Sequence, residues 1–226
     1  MTTVKNTLNC RGELLDLSRT VIMGIINRTP DSFYDGGRLA SLDETLRQAE
    51  RMLKDGAAIL DVGGASSRPG AREVPEPEEL NRVLPAIEQI KSQFPEALLS
   101  IDTWRARVAR EAVAAGASIV NDISAGRFDA DMYAAVADLR VPYILMHMQG
   151  TPQTMQQNPE YDHVVANVLD FFIRETGKLY ALGIHDVVLD PGFGFGKTVE
   201  HNYQLLKNLN VFSTVTGLPV LAGISR

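Results

Sequence analysis

Residues 98–103 read Leu-Leu-Ser-Ile-Asp-Thr, a short apolar run that ends in a polar residue, Asp102. A run of this kind is typical of a strand buried on both faces. Six further runs have the same form, at residues 21–27, 59–64, 118–124, 142–148, 186–191 and 219–225. Longer amphipathic segments separate the runs. The chain therefore alternates strand and helix, as parallel strands with crossover helices do.

Helical periodicity is clear in two of the intervening segments. Residues 41–44, Ser-Leu-Asp-Glu, have the form of a capping box, and apolar residues follow at helical spacing: Leu46, Ala49, Leu53 and Ala57. A second apolar stripe precedes Gly183, which ends its helix, and consists of Val164, Val168, Phe171 and Phe172.

Two architectures fit this alternation, an open doubly wound sheet and a closed (β/α)8 barrel. An open sheet gathers its ligand groups at one switch point, whereas a barrel presents them from every strand. Here nearly every strand ends in polar residues: Asn27, Asp61, Asp102, Asn121, Asp122, His147, Asp190 and Ser225. We therefore predict an α/β fold, a (β/α)8 TIM barrel that forms one domain over residues 1–226. Seven strands and six helices are counted, so the last strand and final helices are expected to be missing from this sequence.

Composition narrows the class of partner. The chain has 226 residues, a net charge of −6 and an isoelectric point near 5.3, which argues against nucleic acid or an anionic membrane as the main partner. Cys10 is the one cysteine, so an internal disulfide is excluded. No apolar run reaches the ~18 residues of a membrane span, and the expected location is the cytoplasm.

Residues 186–198, Asp-Val-Val-Leu-Asp-Pro-Gly-Phe-Gly-Phe-Gly-Lys-Thr, end like a phosphate-binding loop. That motif needs a glycine five residues before Gly196, but Pro191 stands there and has no N–H to offer a phosphate. The glycines could simply permit tight turns. We favour a loop that lets a flat ligand approach the backbone beneath Asp190, with Phe193 or Phe195 as a wall.

Asp102, Asn121 and Asp190 end three different strands, which on a barrel brings them to one mouth. A single such residue is usually a helix cap or turn former, and Asp102 could be one. The three together make a poor metal cage, because no His or Cys joins them. They suit a heterocycle with adjacent N–H donors and a carbonyl, such as a 2-amino-4-oxo pyrimidine edge.

Polar loops follow the first two strands, at residues 27–37 and 65–70, and composition alone leaves open whether they are only surface loops. On a barrel, loops on this face carry function. His147 fits a hydrogen-bonded strand-end residue better than a catalytic base. Met146 offers an apolar surface to a ring.

With these motifs in order, the sequence resembles the dihydropteroate synthase family. The matching stretches are MGIINRTPDSF, DVGGASSRPGA, SIDTW, VNDIS, ILMHMQGTP, DPGFGFGKT and AGISR. Enzymes of that family join p-aminobenzoate to 7,8-dihydropterin-6-ylmethyl diphosphate, which gives dihydropteroate for folate biosynthesis, and they are sulfonamide targets. The resemblance implies a transferase that acts on small molecules, with a homodimer left open.

The resemblance also implies roles for individual residues. Asp102, Asn121 and Asp190 would hold the pterin, with Ile123, Met146 and Phe195 around its ring. Asn27 would help to bind Mg²⁺ and the diphosphate. Five loop residues would shape the aminobenzoate site: Phe33, Asp35, Ser67, Arg68 and Pro69. Two of them, Asp35 and Arg68, would have catalytic roles.

Some residues depart from the family pattern. Arg28 replaces a small apolar residue and could alter the first loop or contact the anion, while Ala65 replaces a Glu and Ser67 a Thr. The family continues after the final Ser-Arg with a Lys and then an Arg and a His, so residues 1–226 alone are not expected to be a working synthase. A pterin-dependent methyltransferase and a non-catalytic pterin-binding fragment stay open, although the first should lack the Ser-Arg-Pro-Gly and Thr-Pro-Asp-Ser-Phe stretches.

Overall fold

A computed structural model describes residues 4–28, 42–66, 73–157 and 159–224. The strands are β1 (Thr7–Cys10), β2 (Glu13–Asp16), β3 (Ile22–Asn27), β4 (Ala57–Gly63), β5 (Leu98–Asp102), β6 (Ile119–Asp122), β7 (Tyr143–Met146) and β8 (Val187–Asp190). The helices are α1 (Leu42–Lys54), α2 (Glu76–Gln93), α3 (Ala106–Ala115), α4 (Met132–Leu139), α5 (Val164–Ala181), α6 (Val199–Lys207) and α7 (Leu209–Thr216).

Strands β3 to β8 lie side by side in chain order, and all five pairings are parallel. Successive parallel neighbours joined by helices are the arrangement of a (β/α)8 barrel, so the predicted α/β class is confirmed. The seventh predicted strand is reduced within the described residues to a single parallel bridge, from Val220 to Leu189.

The lower part of the barrel interior is apolar. Successive side chains of a strand point to opposite faces, so every second residue points inward. Five consecutive strands each place one inward residue in the same buried layer: Ile59, Leu98, Ile119, Ile144 and Val188. These residues stand near the N-terminal ends of their strands, so that end of the barrel is closed by hydrocarbon.

An antiparallel hairpin, β1–β2, covers this apolar end. The sequence pattern did not predict this hairpin. Its Leu8, Cys10 and Leu15 are buried against the apolar layer. Burial raises the pKa of the Cys10 thiol to about 12, so the sulfur behaves as a packed apolar group.

The outward faces of the strands pack against the helices and form the larger core. The predicted stripe of α5 is buried there: Val164, Val168, Phe171 and Phe172. The ring of Phe172 meets that of Phe212 in α7 edge to face, with the centroids 5.5 Å apart. Helices α5 and α7 therefore share one aromatic contact that joins them over the sheet.

Two local expectations differ from the structure, and a third lies outside the described residues. Ala57 begins β4 instead of extending α1, because Gly56, with φ +98°, turns the chain after the helix. Two helices, α6 and α7, fill the last connection where one was expected. The capping-box serine, Ser41, lies outside the described residues.

Within the described residues, no helix is both long and apolar enough to cross a membrane.

Phe172→Ala is expected to lower the free energy of unfolding by about 3–5 kcal/mol, because it opens a cavity at a fully buried aromatic contact. Urea unfolding followed by circular dichroism measures the loss. The matched control is Ile173→Ala, one residue along α5 with a side chain 50% exposed, where a loss of about 1 kcal/mol or less is expected. Equal losses in the two variants would contradict the packing described here.

Candidate active site

A polar layer lies directly above the apolar one. Two residues further along each strand the side chains point inward again, and they are now Asp61, Ser100, Asn121, Met146 and Asp190. All of them stand at the C-terminal half of the barrel, where barrel enzymes place their chemistry. The change from hydrocarbon to acid and amide over two residues defines the floor of a pocket.

Asp61 and Asn121 are joined across an intervening strand. The Nδ2 of Asn121 donates to the Oδ2 of Asp61 at 3.0 Å, although β4 and β6 are separated by β5. The residue between them is Ser100, which pairs with Asp61 and is small enough to leave the path open. The bond uses one N–H of Asn121 and leaves its amide oxygen and second N–H for a ligand.

Asp61 was recognised in the sequence only as a polar strand residue and was given no role in the site. It is 5% exposed, and among the described residues its Oδ1 has no hydrogen-bond partner. A buried carboxylate oxygen without a partner is rare in native structures and favours a site that a ligand or water completes. The sequence does contain a signal for this position. Every second residue of a strand points inward, and Asp61 stands two residues after the inward-pointing Ile59.

Asp102 and Asn27 meet above Gly63. A Cβ built on Gly63 would lie 3.2 Å from Oδ2 of Asp102 and 3.6 Å from Oδ1 of Asn27, so the missing side chain leaves both oxygens room. Asp102 is not a helix cap, the alternative open from sequence: α3 begins at Ala106, whose N–H donates instead to Asp129 Oδ2 at 2.7 Å.

Asp190 ends β8 and is held by the turn that follows it. The Gly192 N–H donates to Asp190 Oδ1 at 2.7 Å. Gly192 has a φ of +67°, and a Cβ there would collide with the carbonyl oxygen of His147. Only glycine therefore lets this turn lie against the end of β7 and direct its N–H at the carboxylate.

Burial and mutual repulsion act on three carboxyl groups in this pocket. Burial raises the pKa of Asp61 to about 6, against the lowering effect of the hydrogen bond from Asn121. Burial raises the pKa of Asp190 to about 6 and that of Asp102 well above its ordinary range, and the charge of Asp61 raises both further. A ligand that donates N–H groups would relieve this repulsion, so the pocket is complementary to a donor-rich edge.

One side of the pocket is apolar. Ile123, Met146, Met148 and Met155 form a separate buried cluster, and Trp104 and Phe195 pack against it. Phe193 packs instead against the larger outer core, so of the two aromatic residues in the glycine-rich loop Phe195 is the wall. The cluster contains Ile123, Met146 and Phe195, which were expected at the ring, and also Trp104, Met148 and Met155, which were not.

His147 is held in a neutral form that disfavours a role as an acid, and Arg28 contacts the first helix. The Nδ1 of His147 lies 3.1 Å from Lys197 Nζ, and burial and the lysine charge lower the histidine pKa to about 2, so the ring stays neutral. Arg28 is buried beside α1, where its Nη1 donates to Thr45 at 2.8 Å.

The described residues contain no group of three or more His, Cys, Asp or Glu side chains arranged to hold a metal ion. The amide oxygen of Asn27 is of a ligand type that Mg²⁺ accepts, and it lies near Gly63 as the Asp102 carboxylate does. Five predicted site residues lie outside the described ranges: Phe33, Asp35, Ser67, Arg68 and Pro69.

Comparison with known proteins decides the family. The pterin binding enzyme family matches residues 23–226. Dihydropteroate synthase from Haemophilus influenzae is 49% identical over 97% of this chain and 79% of its own length. This chain belongs to the dihydropteroate synthase family of pterin-binding enzymes.

Solved structures of the family agree with the fold. Xanthomonas albilineans dihydropteroate synthase with 4-aminobenzoic acid is 45% identical and superposes with a TM-score of 0.89 over 97% of this chain and 78% of that one. The same enzyme in complex with 7,8-dihydropteroate has a TM-score of 0.85 at 42% identity, over 97% and 78% of the two chains.

Asp61→Asn is expected to reduce the pH dependence of stability between about pH 4 and 6, by the share that Asp61 contributes beside Asp102 and Asp190. Because the folded pKa is about 6 against an ordinary 3.8, the folded protein holds a proton that the unfolded chain releases, so the wild type loses stability as pH rises through this window. The neutral amide removes that loss, which amounts to up to about 3 kcal/mol at pH 7.

Urea unfolding at pH 4.5 and 7.5 measures the difference between wild type and variant. The matched control is Asp170→Asn, an exposed acid on α5, which should keep the wild-type pH dependence. If Asp61→Asn also keeps it, Asp61 is not protonated in the folded protein over this range.

Proposed function

We propose that this chain condenses p-aminobenzoate with 7,8-dihydropterin-6-ylmethyl diphosphate to give 7,8-dihydropteroate and diphosphate. The observation that carries the proposal is the pocket itself. Asp102, Asn121 and Asp190 offer acceptors for a row of ring N–H donors, beside an apolar wall that contains Phe195 and Met146. This pocket stands in a chain of the dihydropteroate synthase family, which supports a pterin as its ligand.

The polar layer would hold the pyrimidine edge of the pterin. Carboxylates accept hydrogen bonds only, so Asp102 and Asp190 suit the ring N–H and the 2-amino group. The amide oxygen of Asn121 adds an acceptor, and its free N–H adds a donor. Phe195, Ile123 and Met146 would lie against the ring, since a flat heterocycle packs well on aromatic and thioether groups.

The reaction replaces one bond to the exocyclic methylene carbon by another. The carbon–oxygen bond to the diphosphate breaks, and its electron pair leaves with the diphosphate. The amine nitrogen of p-aminobenzoate donates its lone pair to the carbon and loses a proton. Positive charge develops on the methylene and the pterin ring, and the buried carboxylates Asp61, Asp102 and Asp190 would stabilise it, because charges act strongly in a site that excludes water.

Asn27 would supply one oxygen ligand to a Mg²⁺ ion bound with the diphosphate. The ion supplies charge neutralisation for the leaving group. The support in this chain is the position of the Asn27 amide oxygen beside Asp102 above Gly63. The diphosphate would then lie at the mouth of the barrel, above the pterin pocket.

The two loops after β3 and β4 would complete the site. Phe33, Ser67 and Pro69 would shape the aminobenzoate pocket, with Asp35 and Arg68 in catalytic roles. The sequence stretches MGIINRTPDSF and DVGGASSRPGA support this assignment. A cytoplasmic location and a homodimer are proposals of the same kind, the first supported by the acidic composition and single cysteine.

The test is dihydropteroate formation by the complete gene product, because this chain spans 79% of the length of its Haemophilus influenzae relative. The assay contains the diphosphate substrate, p-aminobenzoate and Mg²⁺. Product formation that requires all three supports the proposal. Methyl transfer to or from a methylated folate without use of p-aminobenzoate would establish the methyltransferase alternative, and pterin binding with neither reaction would establish the non-catalytic one.

Asp102→Asn and Arg68→Ala are expected to separate the two substrates. Asp102→Asn removes the charge and one of the two acceptor oxygens, and should weaken binding of 6-hydroxymethylpterin about 5- to 150-fold, the equivalent of about 1–3 kcal/mol. Arg68→Ala should leave pterin binding intact and raise the KM for p-aminobenzoate. Calorimetry with the pterin and steady-state kinetics measure the two effects, and equal losses of pterin affinity in both variants would refute this division.

A further inference from the structure

Lys197 is a buried lysine that the proposed chemistry does not use. Burial lowers the pKa of its amino group to about 7, against the raising effect of the Asp190 charge. Lys197 is 3% exposed, and it follows the glycine-rich turn after β8. Its Nζ lies 2.9 Å from the carbonyl oxygens of Gly192 and Phe195, 3.2 Å from that of His147 and 3.1 Å from His147 Nδ1. Its direct partners in the described chain are thus backbone oxygens and one ring nitrogen, and an ammonium can saturate all three of its N–H donors on the carbonyls.

These contacts join two separate segments of the barrel mouth. Gly192 and Phe195 belong to the loop after β8, whereas His147 follows β7. The two segments are pressed together, because a Cβ on Gly196 would lie 2.5 Å from the carbonyl oxygen of Gln149. Carbonyl oxygens brought together at such a contact need hydrogen-bond donors, and the amino group of Lys197 donates to the carbonyls of both segments.

The same two segments carry the predicted pterin contacts. The carbonyl of Gly192 accepts from Lys197, and its N–H donates to Asp190. Gly192 also accepts from the Phe195 N–H at 3.1 Å, which closes the turn that presents the Phe195 ring. On the other side, His147 lies between the two methionines of the apolar wall, Met146 and Met148.

We propose that Lys197 is a positioning residue for the pterin: it fixes the Asp190 carboxylate and the Phe195 ring by binding the carbonyls of residues 147, 192 and 195. This inference rests on the proposed function, since it takes the pterin to be the ligand of Asp190 and Phe195. The ammonium also acts on Asp190 through its charge, which lowers the pKa of that carboxyl against the larger effect of burial.

The position of Lys197 separates this role from two simpler ones. The side chain does not open to the pocket, because all four of its contacts are to the loop and to His147, so it is not a direct ligand of the substrate. The loop has anchors of its own elsewhere, such as Tyr161 Oη to Gly196 O at 2.8 Å and the Gly194 N–H to Asn202 at 2.9 Å. Loss of Lys197 therefore disturbs the pterin side of the loop more than its attachment.

The test compares Lys197→Met and Lys197→Gln in the complete gene product. Methionine keeps an unbranched side chain one atom shorter than lysine and removes the amino group with all its donors, whereas glutamine keeps two N–H donors and is never charged. Lys197→Met should raise the KM for the dihydropterin diphosphate and the Kd for 6-hydroxymethylpterin about tenfold or more, since small displacements of binding groups have effects of this size. The KM for p-aminobenzoate should stay unchanged, and Lys197→Gln should fall between wild type and Lys197→Met.

The matched control is Lys207→Met, the same exchange at an exposed position of α6. Unchanged pterin affinity in Lys197→Met would overturn the proposal. A rise in both KM values in step with a lower melting temperature would also overturn it, because that is the signature of general loosening. If Lys197→Met does not fold, the same measurements on Lys197→Gln test the proposal, and the same results would support or overturn it.

Calorimetry with 6-hydroxymethylpterin does not depend on turnover. A wild-type protein that binds this pterin but forms no dihydropteroate would disprove the proposed reaction, while the comparison of wild type with the Lys197 variants would still test the positioning role.

Discussion

In the six parallel strands, a step of two residues toward the C-terminal end moves an inward side chain from one layer of the barrel to the next. Along β4 that step leads from Ile59 to Asp61, and along β8 from Val188 to Asp190. The arrangement of side chains at the site depends on this two-residue alternation. It fixes which residues meet at the floor of the pocket, and it places the acids directly on hydrocarbon, where water cannot shield them.

The polar layer is destabilising where it stands. Buried carboxyl groups near one another disfavour their charged forms, and their raised pKa values express that disfavour. The apolar layer below and the helix-facing core outside supply the stability that allows it. The binding surface is therefore preformed by packing. Protonation of the carboxyl groups, or hydrogen bonds donated to them, would relieve the repulsion between them, a common arrangement in sites that trade stability for function.

The sequence predicted the parts of this structure that depend on local pattern. Six of the seven expected strands are present, and Asp102, Asn121 and Asp190 stand at strand ends as their positions indicated. The β1–β2 hairpin was missed because Thr7–Cys10 and Glu13–Asp16 are four-residue strands without a continuous apolar run. The seventh run, at residues 219–225, has the composition of a strand but makes one bridge among the described residues, since backbone pairing depends on neighbours that composition does not show.

Contacts between side chains across the barrel could not be predicted from the sequence pattern alone. That Asp61 bonds to Asn121 follows from the small size of Ser100 on the strand between them, a fact of three-dimensional register. Lys197 was noticed only as part of a motif that did not fit phosphate. Its partners are one histidine ring nitrogen and the backbone oxygens of residues two, five and fifty positions before it, and backbone oxygens carry no sequence signature.

The buried thiol at the apolar end of the barrel can serve as a chemical probe of local opening. Cys10 is the one cysteine of the chain, and burial against the apolar layer suppresses formation of the reactive thiolate. An alkylating reagent can therefore reach the sulfur only when the hairpin lifts from the barrel. The rate of labelling at this one atom would report how often the closed end of the barrel opens in the native state, separately from any motion at the catalytic mouth.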